Sequence, residues 1–194
     1  MKKYLIVLML LSCSVMGADV SLGSTTMTDV SNQQVAQGTI FIGRWQTTSE
    51  GGTLDSINIR GRENFATTHW MRGVVYNDVT DSATTLVAVT DDSVHFTSDN
   101  YGEYKANFTD ESVSGSTWYW LGIYMENQTG TNPKVCDDVS QGTWRSCLRT
   151  GASSAESPLD GGATYYSATI EAPQVEIWYT TAAGESVKFV KVRK

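Results

Sequence analysis

The sequence predicts an all-β protein, an antiparallel β-sandwich of the jelly-roll kind. Three observations carry this prediction. Apolar residues recur at alternate positions over runs of about five to eight residues, the period of a strand. The runs are parted by clusters of Gly, Asn, Asp and Ser, the residues that turns require. Beyond the leader no stretch keeps apolar residues at helical spacing, and proline is scarce, three residues in 194, as central strands demand.

Taken in order, residues 1–18 read as a cleavable export signal. Lys2 and Lys3 precede the apolar run Tyr4-Leu5-Ile6-Val7-Leu8-Met9-Leu10-Leu11, and the small residues Ser12, Ser14, Gly17 and Ala18 follow. That run is far shorter than the ~20 residues of a membrane-spanning helix, and no other segment approaches that length, so no membrane span is expected. The order Leu10-Leu11-Ser12-Cys13 also resembles a lipobox. It makes Cys13 a candidate lipid anchor, in competition with ordinary cleavage near Ala18. Residues 19–38 are rich in Ser, Thr, Gln and Asn and lack aromatics, which reads as a flexible arm or linker.

The sandwich domain is expected over 39–194. Its strands are Thr39-Ile40-Phe41-Ile42-Gly43-Arg44-Trp45-Gln46, the alternating Leu54 to Arg60, Trp70-Met71-Arg72-Gly73-Val74-Val75-Tyr76, and Thr85-Leu86-Val87-Ala88-Val89-Thr90. Val94-His95-Phe96 and Glu103-Tyr104-Lys105-Ala106-Asn107-Phe108 flank a polar turn, and Trp118-Tyr119-Trp120-Leu121-Gly122-Ile123-Tyr124-Met125 is the most apolar run after the leader. Three more strands are expected at 164–170, 175–179 and 186–192. Residues 127–162 break the rhythm with Gly, Asn, Asp, Pro and Ser and one short candidate strand at 143–145. They read as a long excursion. It holds Cys136 and Cys147, which in an exported protein are expected to pair as a disulfide closing a short loop; a metal pair is the weaker alternative, with no His nearby.

The formal net charge of −7 excludes phosphate-driven nucleic-acid binding and charge-driven docking on anionic lipid. Acidity leaves Ca²⁺ open as a cofactor. The turn pairs Asp91-Asp92, Asp99-Asn100 and Asp137-Asp138 are its candidates, although none matches an EF-hand loop and Asp and Asn also favour turns for backbone reasons.

A resemblance rests on four strands: Leu54-Asp55-Ser56-Ile57-Asn58-Ile59, Val74-Val75-Tyr76-Asn77-Asp78, Leu86-Val87-Ala88-Val89 and Tyr119-Trp120-Leu121-Gly122-Ile123. Their order over 39–126 resembles secreted bacterial and phage-associated jelly-roll β-sandwich domains, similar to carbohydrate-binding modules and to the "choice-of-anchor" domains of surface-anchored proteins. The cysteine-bearing excursion departs from that pattern. The resemblance implies a secreted or cell-surface binding module and supplies no catalytic residue.

The residues themselves offer little for catalysis. His69 and His95 match no metal-binding pattern, and no nucleophile elbow is present. Glu63, Asp78, Glu103, Glu126, Glu171 and Glu176 are the carboxylates from which a glycosidase-type pair would come, and Glu103, Glu126 and Glu176 could share one sheet surface. The aromatics say more. Trp118, Trp120 and Tyr124 share one face of their strand, with Gly122 leaving a gap between the last two, while Tyr119, Leu121, Ile123 and Met125 share the other. One face must be core. The other is covered by the excursion or open as a platform for sugar rings, which Trp70, Arg72 and Tyr76 would extend. The leading expectation is therefore a non-catalytic exported module for carbohydrate or a cell-surface polymer. The alternatives are a subunit of an extracellular assembly or adhesin joined by strand pairing of the arm, and a polysaccharide hydrolase or lyase.

Overall fold

The computed structural model describes residues 19–23, 31–64, 68–138, 146–155, 159, 163–166 and 172–181. In chain order the strands among them are β1 (Asp19–Gly23), β2 (Ser31–Gln34), β3 (Ile40–Gln46), β4 (Gly52–Arg62), β5 (Thr68–Val79), β6 (Ser82–Val89), β7 (Gly102–Asn107), β8 (Ser112–Val113), β9 (Trp118–Thr129), β10 (Lys134–Asp138), β11 (Ser146–Arg149), β12 (Thr164–Tyr166), β13 (Ala172–Pro173) and β14 (Val175–Thr181). They form two sheets, every pair antiparallel. Sheet A runs β1-β14-β4-β10-β13, with β2 on β10 and with β7 and β8 on β4; sheet B runs β12-β11-β3-β9-β5-β6. The described residues contain no helix, and hence none long and apolar enough to cross a membrane.

Alternation builds the core. Leu54, Ile57 and Ile59 of β4 and Val175, Ile177 and Tyr179 of β14 point inward from sheet A. They meet Phe41 and Trp45 of β3, Met71 and Val75 of β5, and Tyr119, Leu121, Ile123 and Met125 of β9. Each such side chain contributes roughly 1.5–3 kcal/mol on burial, enough together to hold the sheets face to face. A second cluster lies on the outer face of sheet B: Ile40, Ile42, Val74, Tyr76, Trp120, Tyr124 and Cys147, roofed by Ala152 and Leu159. The double-sided apolar pattern of β9 follows from this, since it is the middle strand of a sheet buried on both faces.

The strands expected near 40, 54, 70, 85, 103, 118 and 175 are all present. The run expected at 186–192, the short strand at 143–145 and the leader with Cys13 lie outside the described residues. Three differences matter. Two stretches of the expected arm are strands: β1 lies along β14 and β2 along β10. Such pairing is made by the backbone, so Ser, Asn and Gln side chains serve as well as apolar ones at the margin of a sheet. The excursion likewise carries two strands, β10 in sheet A and β11 in sheet B.

The third difference corrects the expected disulfide. Cys136 and Cys147 are buried and not joined by a disulfide. Cys147 belongs to the outer cluster of sheet B, and Cys136 follows the core residue Val135 on sheet A, so alternation turns it outward too. The two cysteines thus belong to different layers, Cys136 to β10 of sheet A and Cys147 to β11 of sheet B, and packed layers stand about 10 Å apart, farther than a disulfide reaches.

Candidate ligand-binding surface

The residues expected to form the platform divide into three groups along the outer face of sheet B. Trp120 and Tyr76 are fully buried and Tyr124 nearly so. Leu159 and Ala152 of the excursion and Tyr165 of β12 lie over them. The Tyr165 ring meets Trp120 edge-on at 5.4 Å, and its hydroxyl accepts from the Ala83 N–H at 3.1 Å and donates to the Ala83 carbonyl at 3.2 Å. Burial pushes the Tyr165 hydroxyl up to about 12, an effect increased by the neighbouring Cys147, and burial pushes the Cys147 thiol up to about 12 as well. The gap expected at Gly122 is closed. A Cβ there would stand 2.1 Å from the Phe41 carbonyl oxygen and 3.0 Å from the Ile42 side chain. This middle stretch is therefore covered, and Trp120, Tyr124 and Tyr76 present no ring face to a ligand.

Trp118 marks one end. Its ring carries the Arg44 guanidinium 4.4 Å above the centroid. Arg44 donates from Nε and Nη2 to the two oxygens of Asp78 at 2.9 and 2.7 Å and pairs through Nη1 with Asp81 at 2.7 Å. Asp78, only 7% exposed, also accepts the Trp120 indole N–H at 2.7 Å. The cation–π contact and the fork-shaped ion pair fix Arg44 in place, so the face of Trp118 under it is already occupied.

The open end holds Trp70 and Arg72. Trp70 is 41% exposed. Its ring packs at 5.2 Å and a 37° tilt on His95. His95 is seated in turn by its Nδ1–H donating to the His69 carbonyl at 2.9 Å, and buried His69 accepts the Phe96 N–H on Nε2 at 3.0 Å. The histidines thus serve as a base for the tryptophan. The register of β5 against β9 slips here: Trp70 opposes Asn127 and Met71 opposes Met125. Glu126 is the extra residue of this β-bulge, and its side chain reaches Arg72. Glu126 Oε2 accepts from Arg72 Nε at 3.1 Å and from Ser93 Oγ at 3.0 Å. Arg72 Nη1 donates to the Thr90 and Asp91 carbonyls at 2.8 and 3.0 Å. These bonds leave Arg72 Nη2 as a donor and Glu126 Oε1 as an acceptor, held side by side next to an exposed indole.

The three carboxylates expected on one sheet surface do not all share it: Glu126 lies on sheet B, whereas Glu103 and Glu176 lie on sheet A, where Glu103 pairs with Arg60 at 3.4 Å; Glu171 lies outside the described residues. Among the described residues no three of His, Cys, Asp and Glu gather as metal ligands. Asp92 instead accepts the Asn107 backbone N–H at 2.7 Å and its side-chain amide at 3.1 Å, and Asp91 accepts from Thr109, so this turn pair ties loops together. No protein-family model and no curated protein matches this sequence.

Proposed function

We propose that the chain is an exported, non-catalytic β-sandwich module that binds carbohydrate or a cell-surface polymer through Trp70, Arg72 and Glu126. The observation that carries this reading is the open end of sheet B: an exposed indole, propped from beneath, beside a rigid donor and a rigid acceptor. A sugar ring offers that combination its complement, an apolar C–H face and hydroxyls that both donate and accept. The resemblance to secreted jelly-roll domains supports the same class of ligand. The second reading, an assembly subunit that lends its arm to a neighbour, has less support, because β1 and β2 are engaged within the chain's own sheet A.

A glycan-array screen of the purified protein beside Trp70→Ala tests the proposal. The wild type should retain a set of glycans that the variant holds ~10-fold more weakly or worse, the loss typical of a central aromatic anchor. The variant's thermal midpoint should stay near wild type, since Trp70 is largely outside the core. A wild type that binds no glycan, or a Trp70→Ala protein that binds all of them unchanged, would remove this assignment.

A further inference from the structure

The opposite sheet carries a second outward tryptophan. On β14 the residues Val175, Ile177 and Tyr179 enter the core, so Glu176, Trp178 and Thr180 face out. The pairing with β4 slips here as well: Trp178 opposes Ser56 and Tyr179 opposes Leu54, leaving Asp55 as the extra residue of a β-bulge. Asp55 comes out on the tryptophan side, where its Oδ2 accepts from Thr180 Oγ1 at 2.9 Å. Asp55, Ser56, Asn58, Lys105 and Trp178 line an open groove of about 300 Å³. Asn58 and Lys105 are direct cross-strand neighbours, and neither side chain has a hydrogen bond or ion pair among the described residues.

The outer faces of the two sheets thus repeat one arrangement. Each has an outward Trp, a carboxylate at a bulge, and a cation on the same surface: Trp70, Glu126 and Arg72 on sheet B, and Trp178, Asp55 and Lys105 on sheet A. The sheets share no strand, so neither constellation is a by-product of the other.

We infer that the groove at Trp178 is a second saccharide-binding site, for a neutral hydroxylated ring, and that one module holds two sugar chains on opposite faces. The volume lies at the lower end of the roughly 300–1,000 Å³ of small-ligand sites and suits a ring rather than a macromolecular surface. The idle amide of Asn58 and ammonium of Lys105 donate, and Asn58 and Asp55 accept, which matches hydroxyls in both directions. Asp55 lines the groove and Glu176 opposes Asn58 from the neighbouring strand, so carboxylates share this surface with Lys105 and the groove does not favour an anion. The inference shares its ligand class with the Trp70 reading but rests on separate residues.

An array of neutral hexose and pentose oligosaccharides, probed with the wild type, Trp178→Ala, Asn58→Ala and Trp70→Ala, decides it. Trp178→Ala and Asn58→Ala should each weaken by ~10-fold or more a set of glycans that Trp70→Ala still holds. Asn58→Ala keeps the result interpretable if Trp178→Ala folds poorly. If both groove variants bind every glycan as the wild type does, the second site falls while the Trp70 site stands. If Trp70→Ala changes nothing and the groove variants lose binding, the outcome is the reverse. A wild type silent across the array overturns both.

Discussion

Asp78 gathers the polar contacts of the outer face of sheet B. Its two oxygens take both arms of Arg44 and the indole N–H of Trp120, and it is almost out of water. Replacing it by Ala strands a guanidinium with Asp81 alone and leaves a buried N–H without an acceptor. Asp78→Ala should cost about 3–5 kcal/mol in chemical denaturation, the range for breaking a buried ion pair from one side. Asp78→Asn keeps an acceptor for the indole and should lose clearly less. At this scale the site was partly readable from the chain. Trp178 was legible and overlooked: it falls on the polar parity of a strand whose other parity is Val175, Ile177 and Tyr179, which marks an outward ring. Trp118 and Trp120 could not be told apart, because alternation assigns them one face and the difference comes from Leu159, Tyr165 and Arg44, distant in sequence. Glu126 shares the parity of Trp120 and Tyr124 and was legible on their face, and the switch of inward residues from Leu54 to Ile57 and Ile59 marks the bulge at Asp55 in the apolar pattern.

Among the elements, the β5–β6 hairpin turns through Thr80 and Asp81, both at positive φ, 48° and 66°. A two-residue turn of this hand matches the twist of the strands, but it favours Asn and Gly over a β-branched residue. Thr80→Asn should therefore raise stability by about 0.5–1 kcal/mol in urea unfolding. The junction of β11 and β12 gives a pH dependence. The Cys147 thiol rises from 9.0 and the Tyr165 hydroxyl from 10.0, both to about 12, so the folded state holds these protons more tightly than the unfolded chain. Their contribution is fully present below about pH 9 and fades as pH climbs toward 12. Unfolding free energies measured from pH 8 to 11 should fall with pH, and less steeply in Tyr165→Phe. The strands with inward Val, Ile, Leu and aromatic residues were legible for the reason that made them fold. β1, β2, β10 and β11 were not, since they are recruited by backbone pairing to sheets already formed.

For the molecule as a whole, stability rests on two apolar layers and not on a covalent staple. With Cys136 and Cys147 buried, unbonded and on different sheets, dithiothreitol should leave the thermal midpoint unchanged, and Ellman's reagent should reach both thiols only after guanidinium unfolding. A dithiothreitol-sensitive midpoint would show that they are bonded after all. The lateral order of sheet A has a consequence in time. β1 lies along β14, so residues 19–23 must wait for residues 175–181 before they have a partner. A ribosome delivers residues 19–23 long before residues 175–181, and this margin of sheet A cannot be zipped up until the second segment arrives. Closing so long a span is slow on the scale of helix formation. During that interval the β14 margin of sheet A stays unpaired.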